Sequence, residues 1–391
     1  MTDKKRETFG NFIYMLLSML VFVVMIIAGF KYSQFLYTES SNSTLNLIVS
    51  FAMIIAWLII YWLQIIIHES GHLIFGLLSG YSFSSFRIGS LFISKSNGKI
   101  KLSKLKLAGT GGQCLLAPPT ESDKPTNPIL YLLGGGILNA ITALITLPFI
   151  FIVNNVHVKY SLFMFFFFGI ITALLNLIPA NLKYICNDGY NVLILSKRNE
   201  KSVEALNFQL NVSNALTKGI SIKDMPDEWF IFPEKQDLTD FLITTKAYVC
   251  ITREIEKGNF EWVYGVIDGL LSLNVPLLGI YQVLLKGELL YLGMILNKLT
   301  LEQANDINNS LSKDYKALKN NISMLRVNYS AELLLNKNQT EASKILAVFN
   351  KLAKVHPYVS ESITENKLIT LANDIYAGSD ILNATSRFVN E

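Results

Sequence analysis

The chain has 391 residues, of which 51% are hydrophobic and only 16% are charged. This balance is more apolar than that of an average soluble domain, and the mean hydropathy is positive, which argues against an entirely soluble protein. The net charge of +4 is small for this length and gives no sign of nucleic-acid binding. Three widely spaced cysteines form neither a disulfide framework nor a CxxC metal motif, and they suit a reducing compartment.

Four apolar segments lie in the first half of the chain. Each is long enough to cross a hydrocarbon core of about 30 Å as a helix. The first is too long for the apolar region of a signal peptide, and no small-x-small cleavage site follows it, so we expect a retained helix. The predicted spans are residues 11–30, 46–67, 129–153 and 160–180.

The distribution of basic residues predicts the orientation of these spans. Lysine and arginine are concentrated in residues 4–6 and 81–128, whereas 31–45 and 154–159 contain one lysine each. By the positive-inside rule the basic segments are cytoplasmic, which places both termini in the cytoplasm. Together with the lysine- and asparagine-rich composition, this pattern suggests an integral protein of a bacterial cell membrane.

A β-hairpin is predicted between the second and third spans, at residues 86–107. Asn97-Gly98 is a preferred type I′ turn pair, and apolar and lysine residues alternate after it, with a slip at Ser103 that suits a bulge. The segment is basic, so we expect it at the membrane surface. Docking of a basic amphipathic loop on anionic headgroups is an alternative that is compatible with the hairpin.

From about residue 200 the composition changes to mixed charge with helical periodicity, which predicts an all-α soluble domain. Gly258-Asn259 and 336–338 interrupt the periodicity between helices. The helical pairs resemble tetratricopeptide hairpins without a clean register of about 34 residues. Lys286 and Glu288 make 276–296 a buried core helix rather than a fifth span. We therefore predict an α-helical polytopic membrane protein with a surface β-hairpin and a C-terminal helical domain, divided as 1–44, 45–198 and 199–391.

The chemical motif of the sequence is His68-Glu69-Ser70-Gly71-His72, or HExxH, inside the second span. On a helix the two histidines project from one face and can bind one Zn²⁺, while Glu69 lies beside the metal-activated water. A metal ion also offsets the cost of placing ionisable groups in hydrocarbon. Satisfied core histidines are the alternative, although Glu69 would then still need a polar partner.

A catalytic zinc site needs a third protein ligand. His157 is predicted at the opposite membrane face, and His356 lies in the soluble domain. Asp188 is the better candidate because no other acidic residue lies between Asp123 and Glu200. Cys186 lies two residues before it, and we expect this thiol to be apolar and buried rather than a ligand.

These motifs resemble those of the site-2 proteases, polytopic zinc metalloproteases that cleave within membrane spans. The resemblance rests on HESGH at 68–72, on Asn176-Leu-Ile-Pro179 followed by Asp188-Gly189, and on GGGILNA at 134–140, and it covers roughly residues 45–195. It implies His68, His72 and Asp188 as zinc ligands and Glu69 as general base. It further implies substrate or oxyanion contacts by Asn139 and Asn176.

The sequence therefore predicts an intramembrane zinc endopeptidase that acts on transmembrane or membrane-associated peptides, with a cytoplasmic protein partner for the C-terminal domain. A membrane-bound binding or immunity protein that keeps the fold without turnover is the main alternative, because Asp188 stands further from Pro179 than is usual in the family. A transporter is disfavoured, since four spans without inverted repeats do not suit that class.

Overall fold

The computed structural model describes residues 3–40, 42–96, 98–106, 110–119, 128–182, 185–197, 200–273 and 275–390. The chain is mostly helical, with a small amount of antiparallel sheet. It divides into two compact units. The first comprises Met1–Phe83, Gly111–Leu182 and Cys186–Asn199, and the second comprises Ser84–Thr110, Lys183–Ile185 and Glu200–Glu391.

The described residues contain fourteen α-helices and four strands. The helices are α1 Asp3–Glu39, α2 Ser43–Leu78, α3 Ile129–Ile152, α4 Val156–Leu177, α5 Asp188–Leu195, α6 Glu200–Thr217, α7 Phe241–Glu256, α8 Phe260–Ser272, α9 Gly279–Ile295, α10 Leu301–Ala317, α11 Ile322–Ser330, α12 Gln339–Ala353, α13 Val359–Tyr376 and α14 Ile381–Asn390. The strands are β1 Ser82–Ile88, β2 Leu91–Ser96, β3 Lys99–Lys104 and β4 Gly112–Ala117.

Four helices of the first unit are long and apolar enough to cross a membrane, namely Phe9–Glu39 of α1 and the whole of α2, α3 and α4. They coincide with the predicted apolar segments, although α1 and α2 extend well beyond them. The fourth ends at Leu177 rather than 180, because Pro179 disfavours helical backbone in the residue before it. The predicted core helix at 276–296 is α9, which is not among the spans.

The first unit has an apolar exterior and a partly polar interior. On α2 the exposed side chains include Phe51 and Ile59, whereas Gln64, His68 and His72 are buried. A helix surface of this kind suits hydrocarbon, where polar groups must be satisfied inside the protein. The polar residues of α2 therefore face its helical neighbours.

In the second unit β1, β2 and β3 form an antiparallel meander. Ser85 pairs with Ser94 on β2, and Ser96 pairs with Lys99 on β3. The latter register leaves a two-residue turn, as predicted, in which Gly98 has a φ of +76°. Asn97 of the predicted turn lies outside the described residues. The suggested bulge at Ser103 is absent, because the β2–β3 pairing continues unbroken to Lys104.

The C-terminal helices pack mainly with their neighbours in sequence, such as α6 with α7, α8 with α9 and α11 with α12. The predicted breaks lie between helices, and Gly258 and Lys337 there have positive φ values of 81° and 54°.

A buried cluster of charged side chains joins α9, α11 and α13. Arg326 is fully buried and donates to Glu365 at 2.9 Å and to Glu288 at 2.5 Å. The ion pair with Arg326 compensates the charge of Glu288, so α9 can be a core helix although it contains this residue.

Candidate metal centre

The two histidines of the HExxH motif lie on the buried face of α2, in its C-terminal half. His68 is 7% exposed and His72 is 6% exposed. Because they are four residues apart on a helix, their rings project from the same face, and their Nε2 atoms lie 3.1 Å from each other. Both imidazoles therefore point to one place.

Asp188, the first residue of α5, completes this group. Its Oδ2 lies 3.1 Å from Nε2 of His68 and 3.3 Å from Nε2 of His72. A tetrahedral site with metal–ligand bonds of about 2.0–2.1 Å separates its ligand atoms by about 3.3 Å. The three donor atoms thus already have the spacing of three corners of a zinc tetrahedron. Among the described residues, this is the set of histidine, cysteine and acidic side chains close enough to hold a metal.

Hydrogen bonds donated by the Nδ1 atoms determine the tautomers of the neutral rings. Nδ1 of His72 lies 2.9 Å from the backbone carbonyl of Tyr131, which can only accept, so this nitrogen carries the hydrogen. Nδ1 of His68 lies 2.9 Å from Oδ1 of Asn139. The Nε2 atoms of neutral rings then present lone pairs toward the Asp188 carboxylate. Three acceptor atoms in contact repel one another unless a cation lies between them.

A chain of amides sets the orientation of Asn139. Gln64, fully buried on α2, donates from Nε2 to the backbone carbonyl of Phe165 at 3.0 Å, so its Oε1 faces the other way. That oxygen accepts from Nδ2 of Asn139 at 2.8 Å, and the Gln64 carbonyl accepts from the same nitrogen at 2.9 Å. Oδ1 of Asn139 is thereby turned toward His68. Gln64 was not predicted from the sequence, where it is one polar residue in an apolar run.

The position of Asp188 depends on the residue before it. Asn187 caps α5 by accepting from the Tyr190 amide, and its Oδ1 also accepts from the Ala180 amide at 2.9 Å. Its Nδ2 donates to the carbonyls of Leu175 at 2.7 Å and Ile178 at 2.6 Å. One side chain thus joins the end of α4 to the start of α5. The extra residues between Pro179 and Asp188 do not prevent the carboxylate from reaching the histidines.

The first helix also contacts this loop. Gly10 approaches it so closely that an added Cβ would overlap the carbonyl oxygen of Pro179, and Oδ1 of Asn11 accepts from the Asn181 amide at 2.9 Å. The N-terminal end of α1, the C-terminal half of α2, the start of α3 and the end of α4 therefore meet at one end of the bundle. This arrangement agrees with an alternating direction of the four helices.

Glycines of α3 allow its close approach to the motif. A Cβ on Gly134 would lie 2.6 Å from the carbonyl oxygen of Gly71, and one on Gly135 would lie 2.5 Å from Cε1 of His68 and 2.7 Å from Nε2 of His72. The predicted glycine cluster at 134–136 thus brings the backbone of α3 against the imidazoles. Only glycine at 135 leaves space for both rings.

Glu69 lies beside strand β4. The side chain is 7% exposed, and a Cβ on Gly112 would lie 2.4 Å from its Oε1. An extended segment therefore runs directly past the carboxylate.

The other predicted residues have different surroundings. Both amide hydrogens of Asn139 are engaged by Gln64 and its oxygen by His68, so it orients the His68 ring and has no amide hydrogen left for a substrate. Asn176 donates to the Thr172 carbonyl within α4 at 2.9 Å. Sγ of Cys186 lies 3.3 Å from Oδ1 of Asn181 and is not in the metal-ligand set.

No protein-family model, curated protein or solved structure matches this chain. The functional assignment therefore depends on the site itself.

Proposed function

We propose that the protein is a zinc-dependent intramembrane endopeptidase similar to the site-2 proteases. The observation that carries this proposal is the convergence of two Nε2 lone pairs and one carboxylate oxygen at 3.1–3.3 Å, with both tautomers fixed and a glutamate next in sequence to the first ligand. Two histidines and one carboxylate are the protein ligands of one class of catalytic zinc site, in which the fourth position stays open. When bound, zinc supplies a Lewis acid that lowers the pKa of a water molecule to about 7 and polarises a carbonyl.

The chain's own residues have separable roles in peptide hydrolysis. Glu69 takes a proton from the water as its oxygen forms a bond to the peptide carbonyl carbon, and it then gives this proton to the amine nitrogen as the C–N bond breaks. His68, His72 and Asp188 hold the metal, and Asn139 and the Tyr131 carbonyl keep the imidazoles oriented. Outer hydrogen bonds of this kind commonly raise metal affinity and activity by about 10–100-fold.

The location of the site supports a membrane substrate. His68 and Glu69 lie on α2, one of the four helices of spanning length, so a peptide that reaches them enters from within or beside the bilayer. A helical substrate has its carbonyls already hydrogen-bonded, and it must therefore unwind before hydrolysis. We further propose that the chain resides in a bacterial cell membrane with both termini in the cytoplasm, where the C-terminal helical domain binds a protein partner.

Zinc content and cleavage together test this proposal. We would measure zinc by elemental analysis of the detergent-purified wild type, Glu69→Gln and Asp188→Asn, alongside cleavage of a transmembrane peptide. We expect near-stoichiometric zinc in the wild type and Glu69→Gln, reduced zinc in Asp188→Asn, and cleavage by the wild type alone.

Two outcomes would contradict it. A folded wild type without zinc after exposure to the metal would exclude the metal centre. Stoichiometric zinc without cleavage of any of a panel of membrane peptides would favour the alternative, a binding or immunity protein that retains the protease fold.

A further inference from the structure

The meander of β1, β2 and β3 has one face that points outward and is mainly apolar. Residues that pair across adjacent strands share a face, so the register defines its members. Leu91, Ile100 and Leu102 on this face are 50%, 60% and 69% exposed. We name it the outer face, and its rows across the strands are Phe86–Ile93–Leu102, Ile88–Leu91–Lys104 and Lys95–Ile100.

On β1 and β2 the opposite face is buried and largely polar, whereas its lysines on β3, Lys99 and Lys101, are exposed. Ser85, Arg87, Ser94 and Ser96 are 1–5% exposed, and Phe92 stacks edge-on against Tyr358 with ring centroids 5.8 Å apart. An antiparallel sheet with one solvated face normally turns its apolar side chains inward and its polar side chains to water. On β1 and β2 the buried face is polar and the outer face is apolar, which is the reverse of this arrangement. The outer face is therefore poorly suited to contact with water.

The charge around the outer face is of one sign. Lys95 and Lys104 lie on this face and are exposed, and Lys99, Lys101 and Lys106 are exposed nearby. No aspartate or glutamate occurs between Glu69 and Glu121 in the sequence. The segment therefore combines exposed aliphatic side chains with uncompensated positive charge.

We propose that the outer face docks on the anionic surface of a lipid bilayer. Leu91, Ile100 and Leu102 enter the boundary between headgroups and acyl chains, and Lys95 and Lys104 bind headgroup phosphates. Aliphatic residues and lysines on one face are the combination that binds anionic membranes. A membrane is favoured over a protein partner because β1 begins at Ser82, only four residues after the end of α2, itself a helix of spanning length.

This proposal predicts an alternation between neighbouring residues of β3. We would use the full chain with Cys186→Ser, because Cys114 and Cys250 are buried, and attach an environment-sensitive fluorophore to Ile100→Cys, Lys101→Cys or Leu102→Cys. The labelled proteins are reconstituted in phosphatidylcholine vesicles with and without phosphatidylglycerol. Quenching by nitroxide-bearing lipid and by aqueous iodide then reports the surroundings of each position.

With phosphatidylglycerol present, we expect labels at 100 and 102 to be quenched by the lipid nitroxide and the label at 101 to be quenched by iodide. Lys95→Gln and Lys104→Gln should each weaken docking about fivefold. The matched controls Lys99→Gln and Lys101→Gln alter lysines that point away from the membrane, so their effect should be several-fold smaller at physiological ionic strength.

Three results would overturn the proposal. Iodide quenching that is equal at all three positions would show that the outer face remains in water. Equal lipid quenching without phosphatidylglycerol would exclude recognition of anionic lipid. Shielding of positions 100 and 102 from iodide in vesicles, without quenching by the lipid nitroxide, would instead indicate that protein covers the outer face. The test is independent of zinc, so it can be repeated on Glu69→Gln.

Discussion

Substitution of a single glycine tests the proposed metal centre most directly. In Gly135→Ala the new methyl group would lie 2.5 Å from Cε1 of His68 and 2.7 Å from the Nε2 atoms of both histidines. Carbon atoms in contact are ordinarily about 3.5–4.0 Å apart, so the rings or α3 must move by about 1 Å. The substitution changes no ligand, no charge and no hydrogen-bonding group.

The expected magnitude follows from the tolerance of zinc coordination. Zinc–ligand distances vary by only about 0.2 Å between sites, so a shift of about 1 Å removes at least one imidazole from bonding distance. We therefore expect zinc affinity to fall by more than about 100-fold, beyond the range found for outer hydrogen-bond partners. Overpacking in a helix interface costs about 1–3 kcal/mol of folding free energy, which the fold should tolerate.

The assay is competition between the purified protein and a zinc chelator, with cleavage of a membrane peptide as a second measurement. Gly29→Ala is the matched control, because its added Cβ would meet only a Trp57 ring atom, at an ordinary contact distance of 3.9 Å. A monodisperse Gly135→Ala protein with wild-type zinc affinity would refute the argument that these two rings hold the ion.

Three further substitutions test other parts of the structure. Gln64→Leu breaks the amide chain that orients Asn139, and we expect zinc affinity to fall about 10–100-fold in chelator competition; an unchanged affinity would contradict this role. Asn187→Asp keeps the two accepted hydrogen bonds and loses the two donated ones, which should lower the unfolding free energy by about 1–3 kcal/mol in thermal denaturation. Burial, with Glu365 and Glu256 nearby, raises the pKa of Glu361 from 4.5 to about 8, so folded stability should fall as the pH rises through this window. The unfolding free energy of Glu361→Gln, measured by thermal denaturation, should therefore gain about 1 kcal/mol on that of the wild type between about pH 5 and pH 9, a small value because the side chain is 37% exposed. A difference that stays constant with pH would contradict the shift.

The sequence was sufficient to predict four apolar helices of spanning length and the three side chains that converge. Apolar runs of spanning length are read directly from composition, and HExxH places two histidines on one helical face by spacing alone. Asp188 could be chosen because the chain offers no other carboxylate nearby in sequence. These predictions needed only local patterns or elimination.

The orienting groups could not be predicted in this way. Gln64 acts through Asn139, 75 residues away, and the Tyr131 carbonyl is a backbone atom that any residue type supplies. Asn187 looks like an ordinary helix cap, and its two donated bonds appear only once α4 and α5 are adjacent. Contacts of this kind depend on helix packing, which periodicity does not encode.

The same contacts explain how the polar residues of α2 are accommodated in an apolar helix. An unsatisfied polar group in hydrocarbon costs several kcal/mol, so each one must find a partner inside the protein. From the Phe165 carbonyl the hydrogen bonds pass through Gln64 and Asn139 to His68, and every donor along this path has an acceptor. The path ends at the Nε2 atom of His68, which has a lone pair and faces two other acceptors. A network that is satisfied at each step except where three acceptors meet suits a cation at that point, and this is the position that the proposed zinc ion would occupy.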